Sequence, residues 1–168
     1  HQINPTLLDP SKAFDNFAYL IEESAEKGIL ININVAADVC KIFVDQMIFA
    51  ESLRELMSNA SIAMPAGGLL TVECYNEHGD SRSNNRDSVE AVQDYVVISV
   101  TDTGMGMTPE TLRNAFDPLF STYVISGAKG MGLSKVYGFI NQANGFIEMR
   151  SSVGAGTTVK MRLPAFQY

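Results

Sequence analysis

Tyr95-Val96-Val97-Ile98-Ser99-Val100-Thr101-Asp102-Thr103-Gly104-Met105-Gly106-Met107 is the stretch around which the rest of the chain organises itself. Residues 95–101 are β-branched or aromatic with a single serine, a strong strand bias. At a period of two, Val96, Ile98, Val100 and Asp102 share one face. Three are apolar, so that face is expected to be buried, and Asp102 ends a core-facing row where an unpaired carboxylate is costly. Gly104 and Gly106 follow, and glycine allows close backbone approach. The hexapeptide alone leaves two readings open: Asp102 bonds its own turn, or it offers an acceptor to a ligand.

Working outward, Gly127, Gly130 and Gly132 crowd the approach to Leu133, Val136, Tyr137 and Ile140, a helical spacing. A glycine-rich loop opening a helix presents free N–H groups and a positive dipole end, which suits phosphate; a flexible loop with an ordinary cap is the other reading. Upstream, Phe49, Leu53, Leu56, Ala60 and Met64 form the core stripe of a helix expected over residues 45–64. Glu55 and Asn59 stack one turn apart beside that stripe. They are either solvated surface residues or part of a site.

The remaining elements follow from turn chemistry and periodicity. Residues 1–8 read as a short edge strand. Asp9-Pro10 is an N-cap and first helical position, opening a helix over Ser11–Lys27 through Phe14, Phe17, Ile21 and Ala25 and closed by Gly28. Strands are expected over 29–35, 41–44, 69–75, 146–151 and 157–163. Thr108-Pro109-Glu110 starts a short helix to Ala115, and a longer one runs from Leu133 to Asn144. Residues 76–94 are polar and read as a long hairpin loop in which His78 is solvated. Val159, Met161 and Leu163 alternate with Lys160 and Arg162, so one sheet face is wet and helices cover the other: an α+β two-layer sandwich with a mixed, mostly antiparallel sheet.

The chain has 168 residues, with 46% hydrophobic and 18% charged, which fits one globular domain. A net charge of −7 argues against nucleic acid as a partner. There is no run of 18 apolar residues and no secretory signal pattern, so no direct membrane contact is expected of this domain. Cys40 and Cys74 lie in strand-like runs without metal spacing and read as two buried free thiols of a reducing compartment. His1 and His78 are too few for a histidine metal site.

Four segments, in order, resemble the ATP-binding catalytic domain of sensor histidine kinases, in the superfamily shared with DNA gyrase, the mismatch-repair ATPase and the large heat-shock chaperone. Residues 51–60, ending in Asn59-Ala60, resemble the N box. Residues 102–107 match the first glycine box, Phe116–Thr122 resemble the F box, and Gly130–Ser134 match the second glycine box. Gly154–Val159 and Leu163-Pro164 resemble the closing strand, and the wording from Pro118 to Pro164 is nearest to hybrid kinases. The resemblance implies a Bergerat-type fold binding ATP and Mg²⁺. Asp102 would accept from the adenine amine, with Thr157 supporting that edge and Ala63 and Met107 walling the ring. Asn59 would hold Mg²⁺. Gly104 and Gly106 would shape the turn, and Lys129, Gly130, Met131, Gly132 and Leu133 would meet the phosphates, Lys129 either there or in solvent. Glu55 would act as base or as an outer partner of the metal.

The resemblance also implies an ATP lid over residues 103–130, ordered by nucleotide. It carries Ala128 where many relatives have Gly, which would stiffen the lid, Lys129 where Thr or Ser is frequent, and Tyr123 where many hybrid kinases have Lys, which would remove a phosphate contact; weaker activity is one expectation from these departures. The acceptor histidine would lie on a separate helical dimerisation domain of the same protein, since neither His1 nor His78 has the required context. A downstream receiver domain, a cytoplasmic location even where the parent is membrane-anchored, and a monomeric isolated domain complete the expectation. A degenerate protein-binding module and a clamp ATPase of the gyrase or chaperone class are the competing readings.

Overall fold

The computed structural model describes residues 2–17, 23, 24, 26–79, 92–115 and 133–167. The main sheet has five strands: β2 (Ile29–Val35), β4 (Gly68–Glu77), β5 (Tyr95–Asp102), β6 (Phe146–Ser152) and β7 (Gly156–Pro164), in the order β2-β4-β5-β7-β6. β2 and β4 are parallel and the other pairs antiparallel. β1 (Thr6–Leu8) and β3 (Ile42–Val44) form a separate antiparallel pair, joined to the end of β7 by the Ile42–Ala165 bridge.

One face of the sheet is the core face, as the alternation in β5 and β7 requires. Val96, Ile98 and Val100 are buried there with Leu70, Val72, Met161 and Leu163. Against them pack α2 (Gln46–Ile62), through Phe49, Leu53, Leu56 and Ala60, and α4 (Leu133–Gln142), through Leu133, Val136, Phe139 and Ile140. The Phe49 and Phe139 rings join the two helices at a centroid distance of 5.8 Å. The opposite face is polar: Arg162 donates to Glu77 Oε1 at 3.0 Å and to Glu148 Oε2 at 2.9 Å. Val97 and Ser99, on that face of the central strand, are nonetheless buried, flanked in register by Tyr75, Arg162, Glu73 and Lys160. The two-layer α+β sandwich is therefore as expected.

Several local expectations need correction. The helix expected over Ser11–Lys27 begins as α1 (Pro10–Ala13) and tightens into a 3₁₀ turn over Phe14–Phe17, and Glu23, Ser24 and Glu26 are helical as expected. Asp15 and Asn16 are weak helix formers whose side chains compete for backbone partners. Ile21 and Ala25 lie outside the described residues. Asp45 is a cap and not the first helical residue. Its Oδ1 accepts from the Met47 and Ile48 N–H groups at 3.0 and 3.2 Å, and its Oδ2 accepts from Asn4 N–H at 2.9 Å. These bonds hold its carboxyl below the usual range. At the other end, Met64 lies beyond the cap residue Ala63.

Cys74 is buried in β4, and burial pushes its thiol up to about 12. Cys40 sits in a loop, half-buried, its N–H donating to Asn76 Oδ1 at 2.8 Å. Asn76 and Glu77, expected in the loop, belong to β4, because Asn76 is tied at both amide atoms, donating in turn to Asp38 O at 2.8 Å. His78 is exposed as expected and faces Asp94 Oδ1 at 3.5 Å; residues 80–91 of the hairpin lie outside the described residues. α4 ends at Gln142, and Asn144 takes a left-handed φ of 56°, so the helix stops short of it. No helix among the described residues is long and apolar enough to cross a membrane.

Candidate functional site

Asp102 ends β5 at 7% exposure. Its Oδ1 accepts from the Gly104 N–H at 2.9 Å and from the Thr157 N–H at 3.2 Å. Its Oδ2 has no partner among the described residues. The first sequence reading is therefore seen at Oδ1, which closes the turn, while Oδ2 keeps its acceptor capacity. Burial pushes the carboxyl up, and the two N–H groups pull it partly back.

The turn after Asp102 is clamped from two sides. A Cβ on Gly104 would strike the Ala63 carbonyl, whose oxygen accepts from Met105 N–H at 2.9 Å, so the turn lies directly on the end of α2. Gly106 has φ 69° and lies on the Ser152 carbonyl, while Gly154 N–H donates to Met105 O at 2.8 Å. Ser151 completes the clamp. Its Oγ accepts from Met107 N–H at 2.8 Å, donates to Gly156 O at 3.1 Å, and lies 2.7 Å from Thr157 Oγ1. Having spent its only proton on Gly156, Ser151 accepts from Thr157, and Thr157 keeps lone pairs available.

Between α2, the central strands and this turn lies a cavity of about 210 Å³. Of the residues singled out from sequence, Asn59, Ala63, Asp102, Gly106, Met107, Leu133 and Thr157 all reach its wall. Leu56, Val100, Met149 and Val159 are among the further apolar residues that line it. Gly104 stands behind the wall and shapes it. Glu55 is one turn from Asn59 but off the wall, with Oε1 4.0 Å from Lys135 Nζ. Lys129, Gly130, Met131 and Gly132 lie outside the described residues, as do Tyr123, Ala128 and the F box; of the expected lid, residues 103–115 are described. These end in a short helix, α3 (Pro109–Asn114), capped by Thr108 as expected.

Sequence reasoning missed Ser151 and the apolar walls beyond Ala63 and Met107. Leu56 and Val100 read as core from their spacing, which they also are, and Ser151 carries no signal beyond its place at a strand end. Chemically the site is an apolar slot with an acceptor at its base and a second acceptor beside it, suited to a flat heteroaromatic ring that presents a donor. No group of three or more His, Cys, Asp or Glu among the described residues could hold a metal. A hard cation here would take one protein oxygen from Asn59 and complete its shell with phosphate and water, the usual habit of Mg²⁺.

Residues 44–167 match the model of the family described as histidine kinase-, DNA gyrase B-, and HSP90-like ATPase. The chain is 36% identical over 164 residues to the sensor kinase CckA of Brucella abortus (strain 2308), covering 96% of this chain and 17% of that protein. It is 31% identical over 143 residues to the sensor histidine kinase ZraS of Klebsiella oxytoca, covering 85% of this chain and 28% of that protein. The chain thus spans less than a third of these relatives. Among solved structures, the nucleotide-free catalytic domain of histidine kinase ThkA superposes with a TM-score of 0.71 at 18% identity, covering 96% of each chain. Full-length ShkA in complex with AMPPNP superposes with a TM-score of 0.72 at 22% identity, covering 99% of this chain and 32% of that one.

Proposed function

The chain belongs to the histidine kinase-, DNA gyrase B- and HSP90-like ATPase family, and from that premise we propose that it is the Mg-ATP-binding catalytic domain of a sensor histidine kinase, passing the γ-phosphoryl group to a histidine on a separate helical dimerisation domain of the same protein. The observation that carries the reading is the free Oδ2 of Asp102 on the wall of an apolar cavity, with Oδ1 locked by Gly104 and Thr157. A carboxylate fixed in this way accepts from the exocyclic amine of adenine and repels the carbonyl of guanine. Thr157, with lone pairs to spare, takes the same edge directly or through water. Ala63 and Met107 close on the ring.

Asn59 supplies the protein oxygen for Mg²⁺, which when bound neutralises phosphate charge and orients the terminal phosphoryl group. Glu55, one turn away, is placed to hold water of the metal shell or to polarise the attacking imidazole; ADP is the leaving group. Gly130, Met131 and Gly132 are assigned to the phosphates on their match to the second glycine box, and Lys129, just ahead of that box, stands either with them or in solvent. A receiver domain as the next acceptor and a cytoplasmic location complete the proposal. The test is calorimetric titration of the chain with Mg-ATP and Mg-GTP, followed by transfer of labelled phosphate to the dimerisation domain of the parent protein added in trans. Saturable ATP binding with GTP at least tenfold weaker, together with acid-labile phosphate on the partner, is expected. Equal affinity for the two nucleotides refutes the Asp102 reading.

A further inference from the structure

The described walls of the cavity carry no positive charge. They offer apolar groups, Asn59, Asp102 and two threonines, an inventory suited to a nucleoside. A triphosphate brings several negative charges to a chain whose net charge is already −7, and charge of that density needs cations close by. Among the described residues, Lys135 is a cation that the fold brings to the Asn59 end of the site. It lies in the first turn of α4, two residues after Leu133, which is on the cavity wall. Its Nζ is 4.0 Å from Oε1 of Glu55, one turn before Asn59 on α2.

That separation is a contact between charges and not a hydrogen bond. The Lys135 side chain is 67% exposed and that of Glu55 33%. A pair so long and so wet holds weakly and changes partners readily. Lysine is a point charge with three donors on a flexible stem, so it can swing from one carboxylate to a denser cluster of anionic oxygens without moving the backbone.

We propose that Lys135 is a phosphate-binding residue of the nucleotide site, resting against Glu55 in the free protein and passing to the phosphates when ATP binds. The inference rests on the nucleotide reading of the cavity. It assigns Glu55 a second duty, that of holding the lysine at the mouth of the site until the ligand arrives.

Titration calorimetry of the parent, Lys135→Gln and Lys135→Arg with Mg-ATP and with adenosine tests it. Lys135→Gln is expected to weaken Mg-ATP about tenfold while adenosine binds as in the parent. Lys135→Arg restores most of the loss, and the gap narrows as salt is raised to about 0.5 M. With magnesium chelated, Glu55→Gln is expected to tighten ATP about twofold, because the competing carboxylate is gone; unchanged or weaker binding overturns the hand-over. Melting curves matching the parent establish that the variants fold, as substitution at an exposed position should allow. If Lys135→Gln binds Mg-ATP as the parent does, or loses ATP and adenosine alike, the assignment of Lys135 falls and the nucleotide site stands. A parent that takes up neither ligand overturns the site and this inference with it.

Discussion

Asp102→Asn separates the binding role of this side chain from its cost to the fold. The replacement has the same shape, but its orientation is dictated. Two inward N–H groups, from Gly104 and Thr157, lie 2.9 and 3.2 Å from Oδ1, so the amide of asparagine must turn its carbonyl toward them. Its NH₂ then faces the cavity, where the adenine amine also donates. The complex loses an acceptor and gains a donor–donor clash in a buried site, which costs on the order of 1–3 kcal/mol, or roughly 5- to 150-fold in ATP affinity. The same NH₂ can donate to a guanine carbonyl, so the ATP:GTP preference should narrow or reverse. Stability moves the other way. Burial raises the folded-state pKa of Asp102, so the native state binds its proton more tightly than the unfolded state does. The contribution of Asp102 is therefore greatest below the usual carboxylate range and is lost as pH rises through the raised value. Asparagine removes that dependence, and the variant at neutral pH should melt no lower than the parent. Calorimetry with ATP and GTP, and urea melts from about pH 4 to 8, read both effects. ATP affinity within twofold of the parent, or a variant destabilised at neutral pH, would refute the reasoning.

Two further perturbations follow from the same geometry. Asn59→Ala removes the oxygen proposed to hold a hard cation, so the gain in ATP affinity on adding Mg²⁺ should collapse while the melting curve is kept; superimposable Mg²⁺ titrations of variant and parent would contradict the metal role. Ser52 is 1% exposed on α2 and its Oγ has no partner among the described residues, so Ser52→Ala should stabilise the domain by about 1 kcal/mol in urea melts, and a loss of stability would mean that the hydroxyl has a partner after all.

The sheet and the two long helices were legible because each is amphipathic at its own period. β5 announces its buried face through Val96, Ile98 and Val100, and α2 through Phe49, Leu53, Leu56 and Ala60. The cavity-facing side chains of the N box and first glycine box were legible for a different reason: their spacing matched a motif. What sequence could not supply was partnership across the chain. Asp45 looks like any helix-starting aspartate until Asn4 arrives from 41 residues away. Ser151 is an ordinary strand residue until Met107 and Thr157 converge on it. Asn76 extends β4 into what its polarity marks as loop because Cys40 and Asp38 come to it from another loop. The turn to 3₁₀ geometry at Phe14 is similar, a local competition that helical spacing does not register.

The β4–β5 ladder places the hairpin and the cavity at opposite ends of one strand pair. Leu70 opposes Asp102 at the site, and Glu77 opposes Tyr95 at the far end, where Gly79 N–H donates to Asp94 Oδ1 at 3.1 Å. Seven residue steps at ~3.4 Å put about 24 Å of continuous backbone pairing between the two ends. Both ends of the intervening segment leave from a closed hydrogen-bonded neck. Its length is therefore mechanically uncoupled from the cavity, and a fluorescent protein or affinity module spliced between Gly79 and Asp94 would ride on the domain as cargo.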